Sequence, residues 1–375
     1  MRRISAAIGA SALALALALG GCSSERAGTT TTGETTAGGT TAAAEGGLIG
    51  IAMPTRSLER WNKDGAHLES LLQGMGYETT LQYADNKVDQ QITQIQNMIN
   101  QDPEVLVIAS IDGTALAPVL ATAKSRDITV IAYDRLINET PDVDYYATFD
   151  NYLVGKLQGE YITEQIGSDQ VTLEPFAGSP DDNNAKFFFS GAWDVLNPLI
   201  QSGQITVPSG KAPATDEEWQ SIGILGWGSK DAQDEMQNRL NTFYAGGEKV
   251  DVVLSPNDSL ALGIAQALEG AGYTPGEGYP ILTGQDADKA NVQNIIAGKQ
   301  SMTVWKDTRE LGDQVATMVD QVVKGEEVDV NDTETYDNGE KVVPTYLLEP
   351  VVVTQDNIED TLVESGFYTK ADLGI

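Results

Sequence analysis

Polar side chains follow directly on five short apolar runs of this chain. Val105–Ser110 leads into Asp112, Thr129–Tyr133 into Asp134 and Arg135, and Val250–Ser255 into Asn257 and Asp258. Pro280–Gly284 leads into Gln285, Asp286 and Asp288, and Met302–Trp305 into Lys306 and Asp307. Ionised acceptors, charged donors and amides that both donate and accept make a set suited to holding a ligand by hydrogen bonds. Any one Asp or Asn placed there could instead cap the next helix. Five clusters that carry acceptors and donors together make capping a less adequate account.

Groups that would break bonds are scarce. The one histidine, His67, falls inside an amphipathic stretch, and no Gly-x-Ser-x-Gly elbow is present to complete a triad with it. A phosphate-binding Gly-Lys loop, a zinc spacing of Cys and His, and a dinucleotide glycine fingerprint are all missing from the sequence. Carboxylate pairs such as Asp181–Asp182 and Asp286/Asp288 carry little specificity among 55 acidic residues, so a carboxylate glycosidase stays only as a remote alternative. What the clusters fit is a neutral polyhydroxyl ligand, whose hydroxyls each donate and accept. Its C–H faces need flat apolar partners. Trp61, in Glu59-Arg60-Trp61-Asn62, and Trp227, in Leu225-Gly226-Trp227-Gly228, stand beside polar groups and could serve, although either could equally be core.

Near-continuous Val, Ile and Leu runs read as strands buried on both faces, as in parallel sheets, where ligands bind beyond the carboxyl ends. A first βα series runs from Leu48–Met53 through Trp61–Leu72, Glu78–Tyr83, Gln90–Asn100, Val105, Leu116–Lys124 and Thr129 to Tyr145–Thr148. Another starts at Val171–Phe176, with helices near Asn184–Leu196 and Asp231–Tyr244 and strands at Ile222, Val250 and Ile281. Two α/β lobes with a cleft between their strand ends are expected. The strand-like tail Lys341–Thr354 would cross between them.

At the amino terminus, Arg2–Arg3, an apolar stretch from Ile4 to Leu19 and Gly20-Gly21-Cys22 describe an export signal too short to span a membrane. Leu19-Gly-Gly-Cys22 resembles a bacterial lipobox, which would make Cys22 a lipidated first residue. Since Cys22 is the only cysteine, no internal disulfide can form. The Thr-, Gly- and Ala-rich stretch that follows lacks apolar bulk and reads as a tether with a reach of roughly 25–30 Å. A formal charge of −32 argues against nucleic acid or an anionic lipid surface as partner.

Several longer phrases, among them Ile49-Gly-Ile-Ala-Met-Pro-Thr55, Ala132-Tyr-Asp-Arg-Leu-Ile137, Gly178-Ser-Pro-Asp-Asp-Asn-Asn-Ala185, Gly284-Gln-Asp-Ala287 and Lys306-Asp-Thr-Arg-Glu310, resemble the periplasmic sugar-binding proteins of the ribose-binding superfamily. The xylose-binding and multiple-sugar-binding branch is the most similar. The resemblance implies an α/β fold of two Rossmann-like lobes with parallel sheets, joined by a three-segment hinge. It implies lobes of 48–151 plus about 286–335 and of 152–285 plus about 336–375, after a signal over 1–21 and a tether over 22–47. It implies sugar contacts from Arg60, Trp61, Asp134 and Arg135, from Asn183 or Asn184, Trp227, Asn257 and Asp286, and from Lys306. In the first segment Arg56 and Glu59 compete with Arg60 for that role; Asp258 could cap its helix, and Gln285 could only shape its turn. The function implied is extracytoplasmic capture of a monosaccharide by a monomer without cofactor or catalysis, and delivery to an ABC transporter permease. The alternative is a sensing domain that docks on a chemoreceptor or sensor kinase.

Overall fold

The computed structural model describes residues 46–276 and 278–375, so the signal, Cys22 and all but the end of the tether lie outside the described residues. The chain runs β1 (Leu48–Met53), α1 (Glu59–Gly74), β2 (Glu78–Tyr83), α2 (Val88–Ile99), β3 (Val105–Ile108), α3 (Ala117–Lys124), β4 (Thr129–Tyr133) and β5 (Tyr145–Phe149). It continues α4 (Asn151–Ile166), β6 (Val171–Pro175), α5 (Asn183–Ser202), β7 (Ile205–Thr206), α6 (Ser229–Phe243), β8 (Val252–Leu254), α7 (Asp258–Gly270), β9 (Ile281–Leu282), α8 (Lys289–Ile296) and β10 (Met302–Trp305). Last come α9 (Thr308–Lys324), β11 (Thr345–Leu348), β12 (Val351–Thr354) and α10 (Lys370–Leu373).

In the first lobe the sheet order is β2-β1-β3-β4-β5-β11, parallel throughout. Its four inner strands are buried on both faces because helices cover both. Ile49, Ile51, Val107 and Ile131 pack under Leu68 of α1 and Leu311 and Val315 of α9, while Leu106, Ile108 and Val130 pack under Ile95 of α2 and Leu120 of α3. Each such side chain contributes about 1.5–3 kcal/mol by its burial. The second lobe holds the parallel order β7-β6-β8-β9. A single parallel bridge, Gln285 to Val304, carries this sheet on to β10, which pairs antiparallel with β12. Helices α4 and α5 meet backbone to backbone at two glycines: a Cβ on Gly155 would lie 1.8 Å from the Phe188 carbonyl oxygen, and one on Gly191 2.1 Å from that of Tyr152.

The chain crosses between lobes after β5, after β10 and after β11, giving two lobes with parallel sheets and a three-segment hinge. Two expected boundaries need correction. The return to the first lobe comes after Trp305 rather than at about 286, because Ala287, Val292, Ile295 and Trp305 share a core with Val353 and Leu362. The final departure follows Leu348 rather than falling at about 336, because β11 pairs with β5. The strand expected at Ile222 is a 3-10 turn over Asp216–Ile222 that touches the sheet only at the Ala177–Gly223 bridge.

Candidate functional site

Asp134 is the first residue beyond β4, and its backbone takes a left-handed φ of 61°. The surrounding chain over-determines that conformation. Its N–H donates to the Ala147 carbonyl at 2.8 Å, and its own carbonyl accepts from the Tyr146 hydroxyl (2.8 Å), the Thr148 hydroxyl (3.0 Å) and Asn184 Nδ2 (2.6 Å). Asn184 belongs to the second lobe, so one carbonyl already ties the lobes together.

The Asp134 carboxylate accepts from Arg60 Nη2 at 3.0 Å, and Lys306 Nζ lies 4.0 Å away. Arg60 also reaches Asp64 at 3.0 Å and Asp286, across the lobes, at 3.3 Å, while Lys306 pairs with Asp286 at 3.2 Å. Burial works against the Asp134 charge, but Arg60, Lys306 and Arg135 more than offset it and hold the carboxyl below its ordinary range. Arg135 donates to the Ser110 carbonyl (3.0 Å) and faces Asp182 with its Nε at 2.9 Å. Both guanidiniums flank the Trp61 ring, at 4.4 Å for Arg60 and 5.1 Å for Arg135.

From the second lobe, Asp182 caps α5 by accepting from the Asn184 N–H (3.0 Å) and takes a further bond from the Trp227 indole (3.1 Å). Burial pushes its carboxyl up, partly countered by Arg135 and the Asn184 N–H. Trp227 sits in a turn with φ 55° and lies against Gly178, where a Cβ would fall 2.0 Å from the ring, so glycine is required there. Asn257 caps α7 through the Leu260 N–H at 3.0 Å. Asp258, for which capping was one alternative, leaves the cap to Asn257 and is fully buried, accepting from the Asp288 N–H, Gln300 and Thr303. Burial and then the Asp288 charge push Asp258 far up, and burial with the Asp286 and Glu59 charges pushes Asp288 up to about 7.

Most of these groups line one narrow cavity of about 30 Å³ between the lobes. The residue pattern of both lobes matches a periplasmic binding protein domain over residues 49–327. The chain belongs to that family. Among relatives of this periplasmic binding protein, the multiple sugar-binding periplasmic protein SbpA of Azospirillum brasilense is 49% identical, covering 86% of this chain and 90% of its own. The D-xylose-binding periplasmic protein of Escherichia coli K12 is 37% identical, covering 87% and 92%. An ABC transporter solute-binding protein from Clostridium phytofermentans, solved with bound β-D-glucose, superposes with a TM-score of 0.83 at 49% identity, over 87% of this chain and 99% of that one.

Of the expected site residues of this binding protein, Arg60, Trp61, Asp134, Arg135, Asn184, Trp227, Asn257, Asp286 and Lys306 line the one cavity. Asn183 does not. It faces a separate, more open cleft with Asp112 and Asn138, while Asn184 turns inward. Arg56 stacks on Tyr83 at 3.9 Å and Glu59 pairs with Lys63 at 2.7 Å, which leaves Arg60 as the member of that segment in the cavity. Asp307 caps α9 through the Arg309 N–H, as the capping account had it, whereas Asp112 caps no helix and accepts within its own turn from Thr114. Sequence reasoning passed over Leu58, Phe188 and Asp182 as lining residues and left Gln285 between ligand contact and turn former. Phe188 lies one helical turn after Asn184 on the same face, a legible signal; Asp182 was visible only as half of an acidic pair. Among the described residues no group of potential metal ligands is found, and no helix is long and apolar enough to cross a membrane.

Proposed function

We propose that this periplasmic binding protein captures a neutral aldopyranose, such as D-glucose, D-xylose or a close relative, between its lobes and hands it to an ABC transporter permease. One observation carries the reading: acceptors, donors and two indoles from both lobes converge on a single cavity between them. Arg60, Arg135 and Lys306 supply three positive charges against four carboxylates, Asp64, Asp134, Asp182 and Asp286, so the formal balance is 3 − 4 = −1. Such a site has no surplus of positive charge for a phosphate. It offers paired acceptors and donors to hydroxyls instead. Relatives named for several sugars and for D-xylose, and a glucose-bound structural neighbour, support the same class.

Mechanistically, Asp134 and Arg135 move with the first lobe, and Asn184, Trp227, Asn257 and Asp286 with the second. A sugar that bonds to both sets binds the closed arrangement better than the open one, and it shifts the equilibrium by that difference in affinity. Catalysis has no part in this cycle. The permease would read the closed lobe surfaces, and ATP hydrolysis would belong to other chains. The lipobox-like Leu19-Gly-Gly-Cys22 supports attachment through lipidated Cys22 to the outer face of the cell membrane.

A thermal-shift screen over pentoses, hexoses, amino acids and sugar phosphates tests the reading. A ligand of micromolar affinity at millimolar concentration stabilises by about 4 kcal/mol, which is readily visible. Aldopyranoses are expected to raise the melting temperature; stabilisation by an amino acid or a phosphate ester, with none by any neutral sugar, would overturn it.

A further inference from the structure

We infer that Gln285 is a direct, specificity-setting contact to one hydroxyl of the bound sugar, an inference that rests on the sugar-binding reading above. Its side chain lines the cavity, is 2% exposed, and leaves Oε1 buried with no hydrogen-bond partner among the described residues. A buried amide oxygen without a partner carries a desolvation penalty that most native structures avoid.

Shaping the turn does not account for this residue. The left-handed positions belong to Asp286 (φ 98°) and Ala287 (φ 51°). The turn's bonds run from the Asp286 N–H to the Val304 carbonyl (2.9 Å), from Ala287 to the Thr303 hydroxyl (3.2 Å) and from Asp288 to the Asp258 carboxylate (2.9 Å). None of them uses the Gln285 amide. Its backbone is fixed independently, by the bridge to Val304 and by a carbonyl that accepts from the Asp258 N–H at 3.0 Å. The side chain is therefore held in the wall of the cavity with hydrogen-bonding capacity left unspent.

An amide differs from its neighbours Asp286 and Lys306, which offer only acceptance or only donation. It can do either, and it carries no charge. A site built to bond a particular hydroxyl discriminates strongly against a ligand that lacks it, because the site's own polar group is then left unpaired. Gln285 thus reads one hydroxyl of a neutral ring, while the charged groups hold the others.

The test is a calorimetric cycle with D-glucose and its monodeoxy analogues on the wild type, Gln285→Met and Gln285→Glu. Gln285→Met keeps the length and removes the hydrogen bond; affinity for glucose should fall roughly 5- to 100-fold. One deoxy position, and only one, should lose its penalty in this variant while the other penalties persist. The sugar-free melting temperature should hold or rise, since an unpartnered polar group is replaced by an apolar one. Should Gln285→Met not fold, Gln285→Glu, which keeps the shape and the acceptor but alters the donor, should shift the ranking of the deoxy sugars. Wild-type affinity in Gln285→Met, or an identical deoxy pattern in wild type and variant, overturns the inference and leaves sugar binding intact. Failure of the wild type to bind any neutral monosaccharide is a distinct result, which overturns the underlying reading.

Discussion

Arg135 of the first lobe and Asp182 of the second meet at 2.9 Å, both buried, as an ion pair that joins the lobes out of water. The pair does not work alone. Asp182 also caps α5 and accepts from Trp227, and Arg135 lies over Trp61. Each indole therefore contacts one member of the pair.

Asp182→Asn removes the charge and keeps one oxygen for the helix cap, while its NH2 replaces the oxygen that accepts from the Trp227 indole and Arg135. Calorimetry should show sugar affinity reduced about 10-fold or more, because the closed form then buries Arg135 without its counter-charge. The sugar-free melting temperature should fall modestly, because the Trp227 indole of the same lobe loses its acceptor. Unaltered affinity would mean that the pair is a bystander to closure.

Asp134→Ala and Asp286→Ala should each weaken sugar binding by some 30-fold or more, about 2–3 kcal/mol, since each deletes a charged acceptor. Their effects on the sugar-free protein should differ. Asp134 pairs with Arg60 inside the first lobe, whereas Asp286 reaches Arg60 only across the cleft. A lower melting temperature is therefore expected for Asp134→Ala, and a smaller change for Asp286→Ala. Because the two carboxylates share Arg60 and Lys306, the double variant should lose less than the sum of the single losses.

Stability should also depend on pH through Asp288. Its carboxyl is raised from 3.8 to about 7 in the folded protein by burial and then by the Asp286 and Glu59 charges. Between about pH 4 and pH 7 the folded state keeps a proton that the unfolded chain has released, so stability falls as pH rises through this window and levels off above it. Asp134, held low, acts in the opposite sense and loses its contribution as pH drops below about 4. Melting temperatures of Asp288→Asn should decline less from about pH 5 to about pH 7 than those of the wild type. Equal slopes would show that Asp288 is already ionised across that range.

The proposed anchor at Cys22 should be separable from binding. Cys22→Ala should move the protein from the membrane fraction to the soluble fraction and leave sugar affinity unchanged, as judged by sedimentation followed by calorimetry. A variant that still sediments with membranes would contradict the lipobox reading.

Much of the frame was legible because local signals agree. The expected bounds of β2 and β4 coincide with the structure, since Gly76 closes the turn before the one and the Asp134 turn ends the apolar run of the other. Sheet partners were not legible in the same way: Met302–Trp305 and Thr345–Leu348 are apolar strands of identical appearance, and only tertiary pairing sends one to β12 and the other to β5. The site followed a similar division. Strand-end residues could be read from position, whereas the choice of Asn184 over Asn183 depends on the phase of α5, set by the Asp182 cap. Trp61 resolved an either-or into both, for it belongs to the first-lobe core and lines the cavity.

Isothermal titration of the wild-type protein with D-glucose and D-xylose tests the central claim most directly. One sugar per chain should bind with roughly micromolar affinity, about 8 kcal/mol, and glucose 6-phosphate should bind far more weakly. No heat with any neutral monosaccharide, alongside clear binding of an amino acid or a phosphate ester, would contradict the account.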